Sequence, residues 1–312
     1  MDNLYTELKK YGRVKVDEPL AKHTTFKIGG PAKYFVIVED ASTLAELLKF
    51  LDGEGEKYVM LGGGSNVLVS DEGFEGVVIK VKGNSIKVKD GVIEADAGCT
   101  TVQVAQESIK AGLTGFEWGV GVPGTIGGAV RGNAGAMGGD MKDAVEKVEI
   151  YRDGEILELT SGDCGFGYRD SCFKYNGGVI LRVWLKLEKG ENRDLQKQAI
   201  NNIQYRNQTQ PQGHASSGCT FKNVEITEDV DFKIDIPQDF LEKGIVSAGW
   251  LIDQCKLKGY KHGNAQVSEK HGNFIVNLGG ATANDVLSII DHVKGEVYNT
   301  CGVNLQEEIQ II

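Results

Sequence analysis

The sequence lacks the marks of several large protein classes. No apolar run approaches the roughly 20 residues that span a bilayer, and Met1 to Lys10 has no apolar signal core, so a cytoplasmic location is expected. Lys and Arg total 34 against 44 Asp and Glu, a net charge of −10. No basic run or basic-aromatic stripe offsets that balance, which argues against nucleic acid as a partner; a phosphorylated ligand would have to be met by local positive charge. The six cysteines include no pair with zinc-site or redox-motif spacing and read as free thiols in a reducing compartment. The five histidines show no metal-ligand spacing, so no metal is expected. No internal repeat is visible. What is abundant is glycine, 42 of 312 residues, where ordinary usage of about 7% gives roughly 22. These glycines cluster without a period, which excludes collagen-like and low-complexity readings.

The length exceeds that of a usual single core and predicts two lobes. From Tyr34 to Ala97 the patterning predicts short strands at 34–38, 58–61, 67–70, 77–81, 86–88 and 92–97, with a helix over 44–51 announced by Thr43 and Glu46. A second helix is expected over 102–111, ending at Gly112. Gly112 to Gly139 is too apolar and too rich in glycine for a solvated loop and reads as ligand-wrapping backbone. Strands at 145–151, 156–160 and 179–187 follow. The charged segment Glu188 to Asp194 is the candidate boundary, beyond which helices over 194–206, 248–257 and 283–300 and strands at 274–277 and 305–312 form an α+β lobe.

Two glycine clusters carry the chemistry. Leu61-Gly62-Gly63-Gly64-Ser65-Asn66-Val67 lies between strands, whereas a Rossmann or P-loop motif requires a helix directly after its glycines. The segment reads as a backbone N–H nest suited to a pyrophosphate, or as a plain hairpin turn. The second cluster, Gly119 to Gly139, includes Gly121-Val122-Pro123-Gly124-Thr125-Ile126-Gly127-Gly128 and Asn133-Ala134-Gly135-Ala136, and suits close backbone contact with a large planar ligand.

With Thr24-Thr25-Phe26-Lys27-Ile28-Gly29-Gly30-Pro31-Ala32 upstream and Gly167-Tyr168-Arg169 downstream, the chain resembles the UDP-N-acetylenolpyruvoylglucosamine reductase family. The resemblance covers nearly the whole chain, through Ala265 to His271 and Leu305 to Ile309. It implies an α+β chain: a FAD-binding fold of the vanillyl-alcohol-oxidase type in two subdomains over 1–192, dividing near 82–100, then a C-terminal substrate-binding domain over 193–312. It also implies noncovalent FAD, NADPH as hydride donor, and reduction of UDP-N-acetylglucosamine enolpyruvate to UDP-N-acetylmuramate for peptidoglycan. By carry-over, Gly62, Gly63, Gly64, Ser65 and Asn66 would meet the FAD pyrophosphate, and Pro123, Gly124, Thr125, Gly128, Asn133 and Gly135 would line the flavin.

The implied reduction leaves negative charge on the carboxylate side of the substrate and requires an acid for the α carbon. Arg169 matches the family's arginine that stabilises this charge. Cys219, in Ser216-Ser217-Gly218-Cys219-Thr220-Phe221-Lys222-Asn223, stands where many members have the proton-donating serine; packing is its other reading, and Ser216 or Ser217 is an alternative donor. Glu308 matches the family's C-terminal glutamate, and on an alternating strand it would face away from Glu307. Arg206, Lys222, Asn223 and Lys258 fall in segments resembling the UDP-sugar contacts. The short connection after Gly167 suggests the family type without an extra tyrosine-bearing loop, although 248–259 also resembles the other type. Two competing functions are an oxidase or dehydrogenase of the same flavin fold, and a nonenzymatic flavin- or nucleotide-binding module.

Overall fold

The computed structural model describes residues 3–175 and 178–312, and for 192 and 193 the backbone only. The chain divides into two compact units: Met1–Glu18, Ala32–Gly63 and Phe74–Arg206 form the first, and Pro19–Pro31, Gly64–Gly73 and Asn207–Ile312 the second. Two short stretches from the N-terminal third therefore pack with the C-terminal residues.

The first unit holds two sheets. In the four-stranded one, strands run in the order Arg13–Pro19, Pro31–Val38, Phe74–Val81, Tyr58–Leu61. Phe74–Val81 pairs in parallel with Pro31–Val38 and with Tyr58–Leu61. Helix α1 (Asn3–Leu8) and helix α2 (Ala41–Glu54) contribute Leu8, Leu44, Leu47, Leu48 and Leu51 to the core that covers this sheet. The expected Thr43–Glu46 start of α2 is wrong. Asp40 is the N-cap: its carboxylate accepts from the Thr43 N–H at 2.8 Å and from the Ser42 and Thr43 hydroxyls. The helix therefore begins a turn earlier than its apolar positions suggest.

The second sheet is antiparallel, in the order Glu155–Thr160, Val145–Arg152, Val179–Lys186, Val92–Asp96, Ile86–Lys89. It opens at Ile86, shortly after the last strand of the first sheet ends at Val81. Helix α3 (Thr101–Lys110) is held by a full capping box between Thr100 and Gln103. The stretch 112–139 is more regular than expected: a 3₁₀ turn at Glu117–Gly121 precedes helix α4 (Ile126–Arg131), whose N-cap is Thr125. Glycines suppress the apolar period by which such a short helix could be read. Helix α5 (Met141–Ala144) then leads into Val145–Arg152.

The long helix α6 (Asn192–Thr209) passes from one unit's residues into the other's. Within the second unit, helices α7 (Gln238–Lys243), α8 (Ala248–Gln254) and α9 (Ala283–Cys301) accompany a small antiparallel sheet of Lys261–His262, Ala265–Val267 and Ile275–Asn277. Its core gathers Phe221, Leu251, Ile252, Val286, Ile290, Val293 and Val297 with Phe26 and Leu68 from the early stretches. Helix α8 ends sooner than expected, because Lys256 takes a left-handed φ of 56° just beyond it. The anticipated strand over 305–312 is regular only at Gln310–Ile311, which pairs in parallel with Val67–Leu68. Asp71 completes this early stretch: its carboxylate oxygens accept from the backbone N–H groups of Ala283 and Asn284, at 2.8 and 3.1 Å, at the start of α9. No helix of the described residues is long and apolar enough to cross a membrane.

The turn before Ile275–Asn277 depends on a neutral imidazole. His271 Nδ1 accepts from the Asn273 N–H at 3.2 Å, and burial, with Lys258 as a lesser cause, pushes the His271 pKa below its ordinary 6.5. The folded protein thus holds this proton less tightly than the unfolded chain. Its contribution to stability is complete above 6.5 and is lost as pH falls through 6.5 towards the depressed folded value. Urea midpoints should therefore fall between about pH 7 and about pH 5, with a shallower slope in His271→Gln. Removing the Thr282 cap of α9, whose box with Asp285 is complete, should cost about 1 kcal/mol in Thr282→Ala by urea unfolding.

Candidate active site

On the first unit, the two glycine clusters touch. A methyl group on Gly63 would lie 2.6 Å from Gly124 Cα, and one on Gly62 would lie 2.5 Å from Thr125 Oγ1, so these positions admit no side chain. The 122–127 segment is tied to 97–101: Thr101 N donates to Gly124 O at 3.2 Å, Ile126 N to Cys99 O at 2.8 Å and Gly127 N to Ala97 O at 3.0 Å. The Thr101 hydroxyl adds a bond to the Val122 carbonyl. Among the described residues, the Gly62 and Gly63 amides donate to no protein acceptor. Asp140 Oδ1 is buried without a hydrogen-bond partner, opposite Gly135 in a small hairpin. Paired backbone donors suit a pyrophosphate, and an orphaned acceptor suits the N–H of a planar imide, so these residues fit a flavin dinucleotide.

Arg169 stands on a tight turn in the same unit. Gly167 and Asp170 exchange backbone hydrogen bonds of 3.0 and 3.2 Å, leaving Arg169 at a left-handed φ of 53°. Its Nη2 donates to the Gly135 carbonyl at 2.7 Å, its guanidinium lies 5.4 Å from the Tyr168 ring centroid, and its own carbonyl accepts from Lys174 Nζ at 2.6 Å. Asn133 secures the turn. Buried and at φ 40°, it donates from Nδ2 to Gly167 O at 2.8 Å and accepts at Oδ1 from Lys142 N at 3.0 Å. Arg206 also lies here, its Cδ 2.6 Å from where a Gly121 methyl group would sit.

The second unit brings Cys219 and Glu308 onto neighbouring strand-like segments. Glu308 N donates to Thr220 O, and Lys222 N to Gln306 O, both at 2.8 Å. On the opposite edge Cys219 pairs with Phe274, and Thr220 N donates to Asn273 O at 2.8 Å. Gly218, at φ +82°, turns the chain into this segment. Glu307 is salt-bridged to Lys294 at 2.8 Å, and although burial pushes its carboxyl up, that partner leaves it below the usual range.

Several of the remaining singled-out residues have partners of their own. Asn66 Nδ2 donates to the Glu308 carbonyl at 3.0 Å, and Gly64 O accepts from Thr25 N at 2.9 Å. Asn223 Oδ1 accepts from Ala248 N at 3.1 Å, at the start of α8, and Lys258 is ion-paired with Asp253 at 2.7 Å. Ser217 Oγ is buried and unpartnered among the described residues. Sequence reading passed over Asp140 and Asn273, because an acid in a hairpin and an asparagine beyond a recognised motif look like ordinary turn residues.

Residues 32–160 match the family model described as FAD binding domain, and residues 210–312 that described as UDP-N-acetylenolpyruvoylglucosamine reductase, C-terminal domain. Relatives named UDP-N-acetylenolpyruvoylglucosamine reductase include one from Anoxybacillus flavithermus, 40% identical, and one from Bacillus subtilis, 38% identical; each match covers 100% of this chain and 99% of the relative. The crystal structure of UDP-N-acetylenolpyruvylglucosamine reductase from Thermus caldophilus superposes with a TM-score of 0.78 at 36% identity, over 96% of this chain and 98% of that one. The chain therefore belongs to the UDP-N-acetylenolpyruvoylglucosamine reductase family of FAD-dependent oxidoreductases.

Proposed function

We propose that this protein reduces UDP-N-acetylglucosamine enolpyruvate to UDP-N-acetylmuramate with NADPH, in the cytoplasmic synthesis of peptidoglycan precursors. The observation that supports the reading is the backbone pairing of the segment bearing Cys219 with the segment bearing Glu308, in a chain whose residues 32–160 match an FAD binding domain. Residues 1–192 would form the FAD-binding domain and 193–312 the substrate-binding domain.

FAD, bound noncovalently, would supply the hydride chemistry that links NADPH to the methylene carbon of the enolpyruvyl group. The pyrophosphate would be met by backbone of Gly62, Gly63 and Gly64 with Ser65 and Asn66, and the ring system by Pro123, Gly124, Thr125, Gly128, Asn133 and Gly135. Arg169 holds the substrate carboxylate and opposes the charge that grows there; its fork is kept in place by the Gly135 carbonyl and the Tyr168 ring. Cys219 gives the proton to the α carbon. An enolate is basic enough to take a proton from a thiol. Glu308 orients the carboxylate end and assists protonation. Arg206, Lys222, Asn223 and Lys258 bind the UDP-sugar, Lys258 exchanging some of its attraction to Asp253 for the diphosphate.

The decisive measurement is NADPH consumption by the yellow holoenzyme with and without UDP-N-acetylglucosamine enolpyruvate. Consumption should depend on this substrate, and substrate-independent oxidation by oxygen would reject the proposal. Cys219→Ser should retain turnover, whereas Cys219→Ala should slow substrate-driven reoxidation of the reduced flavin by roughly 10²- to 10⁴-fold. Wild-type reoxidation in the Ala variant would remove Cys219 from the acid role.

A further inference from the structure

The run from Ser217 to Lys222 lies in no regular strand, yet its peptide groups are paired on both edges. One edge meets the C-terminal segment through the Glu308 N to Thr220 O and Lys222 N to Gln306 O bonds of 2.8 Å. The other edge meets mainly one side chain. Asn273 Oδ1 accepts from Phe221 N at 2.9 Å while its Nδ2 donates to Phe221 O at 2.8 Å, and the Asn273 carbonyl accepts from Thr220 N at 2.8 Å. A planar carboxamide presents the same donor and acceptor as a peptide, so this side chain replaces one rung of a β ladder.

The rung is buried on both sides. Asn273 is 2% exposed and Phe221 1% exposed, so no water can replace what the carboxamide provides. Asn273 is itself held by its N–H bond to His271 Nδ1, and the His271 ring packs edge-on against Phe274 with centroids 4.9 Å apart. Phe274 in turn is the bridge partner of Cys219. Asn273 thus touches the thiol segment through Thr220 and Phe221 and through the residue opposite Cys219, without itself being placed to contact substrate.

We propose that Asn273 is a positioning residue for the reduction: its side-chain rung fixes the backbone from which Cys219 presents its proton. The inference rests on the reading of Cys219 as the acid. Proton transfer requires heavy-atom approach of about 2.6–3.2 Å, and a displacement near 1 Å can cost on the order of 100-fold in rate. A rung two residues from the sulfur controls displacements of that size.

Three measurements on the holoenzyme test it in Asn273→Ala, and in Asn273→Asp, which keeps the volume and the acceptor for Phe221 N–H should the Ala variant fail to fold. Hydrogen exchange of the peptide spanning Ser216 to Asn223 should quicken. Flavin reduction by NADPH in a single anaerobic turnover should stay within about twofold of wild type, while reoxidation by UDP-N-acetylglucosamine enolpyruvate slows roughly 10- to 100-fold. In the Cys219→Ala background the Asn273 substitution should add no further slowing, since a positioning residue acts only through the group it positions. Wild-type reoxidation in a folded Asn273 variant, equal slowing of both half-reactions, or full additivity with Cys219→Ala would each overturn the positioning role while leaving Cys219 as the acid. Wild-type reoxidation in Cys219→Ala alone would overturn the acid reading, and the proposal with it.

Discussion

Asn66 donates from Nδ2 to the carbonyl of Glu308 at 3.0 Å, across a chain separation of 242 residues, and its own carbonyl accepts from Gln310 N at 2.9 Å. Around this pair, Ser70 N donates to Ile312 O and Ile312 N to Leu68 O, and Asp71 holds the start of α9. The second unit is therefore not simply the C-terminal third of the chain. Its terminal segment takes its register from the strand that follows the first glycine cluster, and that register places Glu308 opposite Thr220. Closing so long a loop is entropically costly and slow, so the carboxylate reaches its place only when both ends of the chain are present.

The same segment carries two adjacent acids whose recorded contacts differ in kind. Glu307 is held by Lys294 from α9, which keeps its carboxylate ionised, and Glu308 is the neighbour whose backbone both Thr220 and Asn66 clasp. In a chain with a net charge of −10, cations near an anionic substrate have to be assigned residue by residue. Lys294 is committed to Glu307 and Lys258 to Asp253. Arg169 is fastened by the Gly135 carbonyl and packs its guanidinium over the Tyr168 ring.

Much of this was legible in the residues, and for reasons that differ from element to element. Helix α9 combines a Thr282–Asp285 box with apolar residues at helical spacing, and both survive into the structure because local propensity and burial agree. Helix α2 misled because its true cap, Asp40, lies outside the apolar period, and Thr43, the residue chosen from sequence, is the one that Asp40 caps. The final segment was read as a continuous strand because its apolar residues alternate, whereas its partners are isolated bridges and one two-residue strand. Such pairings depend on backbone at Phe221 and at Val67–Leu68, far off in sequence, which no local pattern contains. The glycine clusters were readable as contact points, but that the two contact each other, Gly63 against Gly124, is a tertiary fact.

Asn273 and Asp140 show the two uses a fold makes of a buried polar side chain. In Asn273 both ends of the carboxamide are satisfied by the backbone N–H and C=O of one residue, Phe221, and the result is a rigid rung. Asp140 Oδ1 and Ser217 Oγ are satisfied by nothing among the described residues, although each is fully enclosed. An unpaired buried polar atom costs about 1–3 kcal/mol, a substantial part of the stability of any domain. A sequence that only had to fold would replace such atoms with apolar ones of the same size at little loss. They sit instead beside Gly135 and two residues before Cys219, on the loops to which the reaction is assigned. Among the described residues, the two unpaired polar atoms thus lie beside residues proposed to meet ligand, and the fully paired carboxamide of Asn273 lies beside the proposed acid.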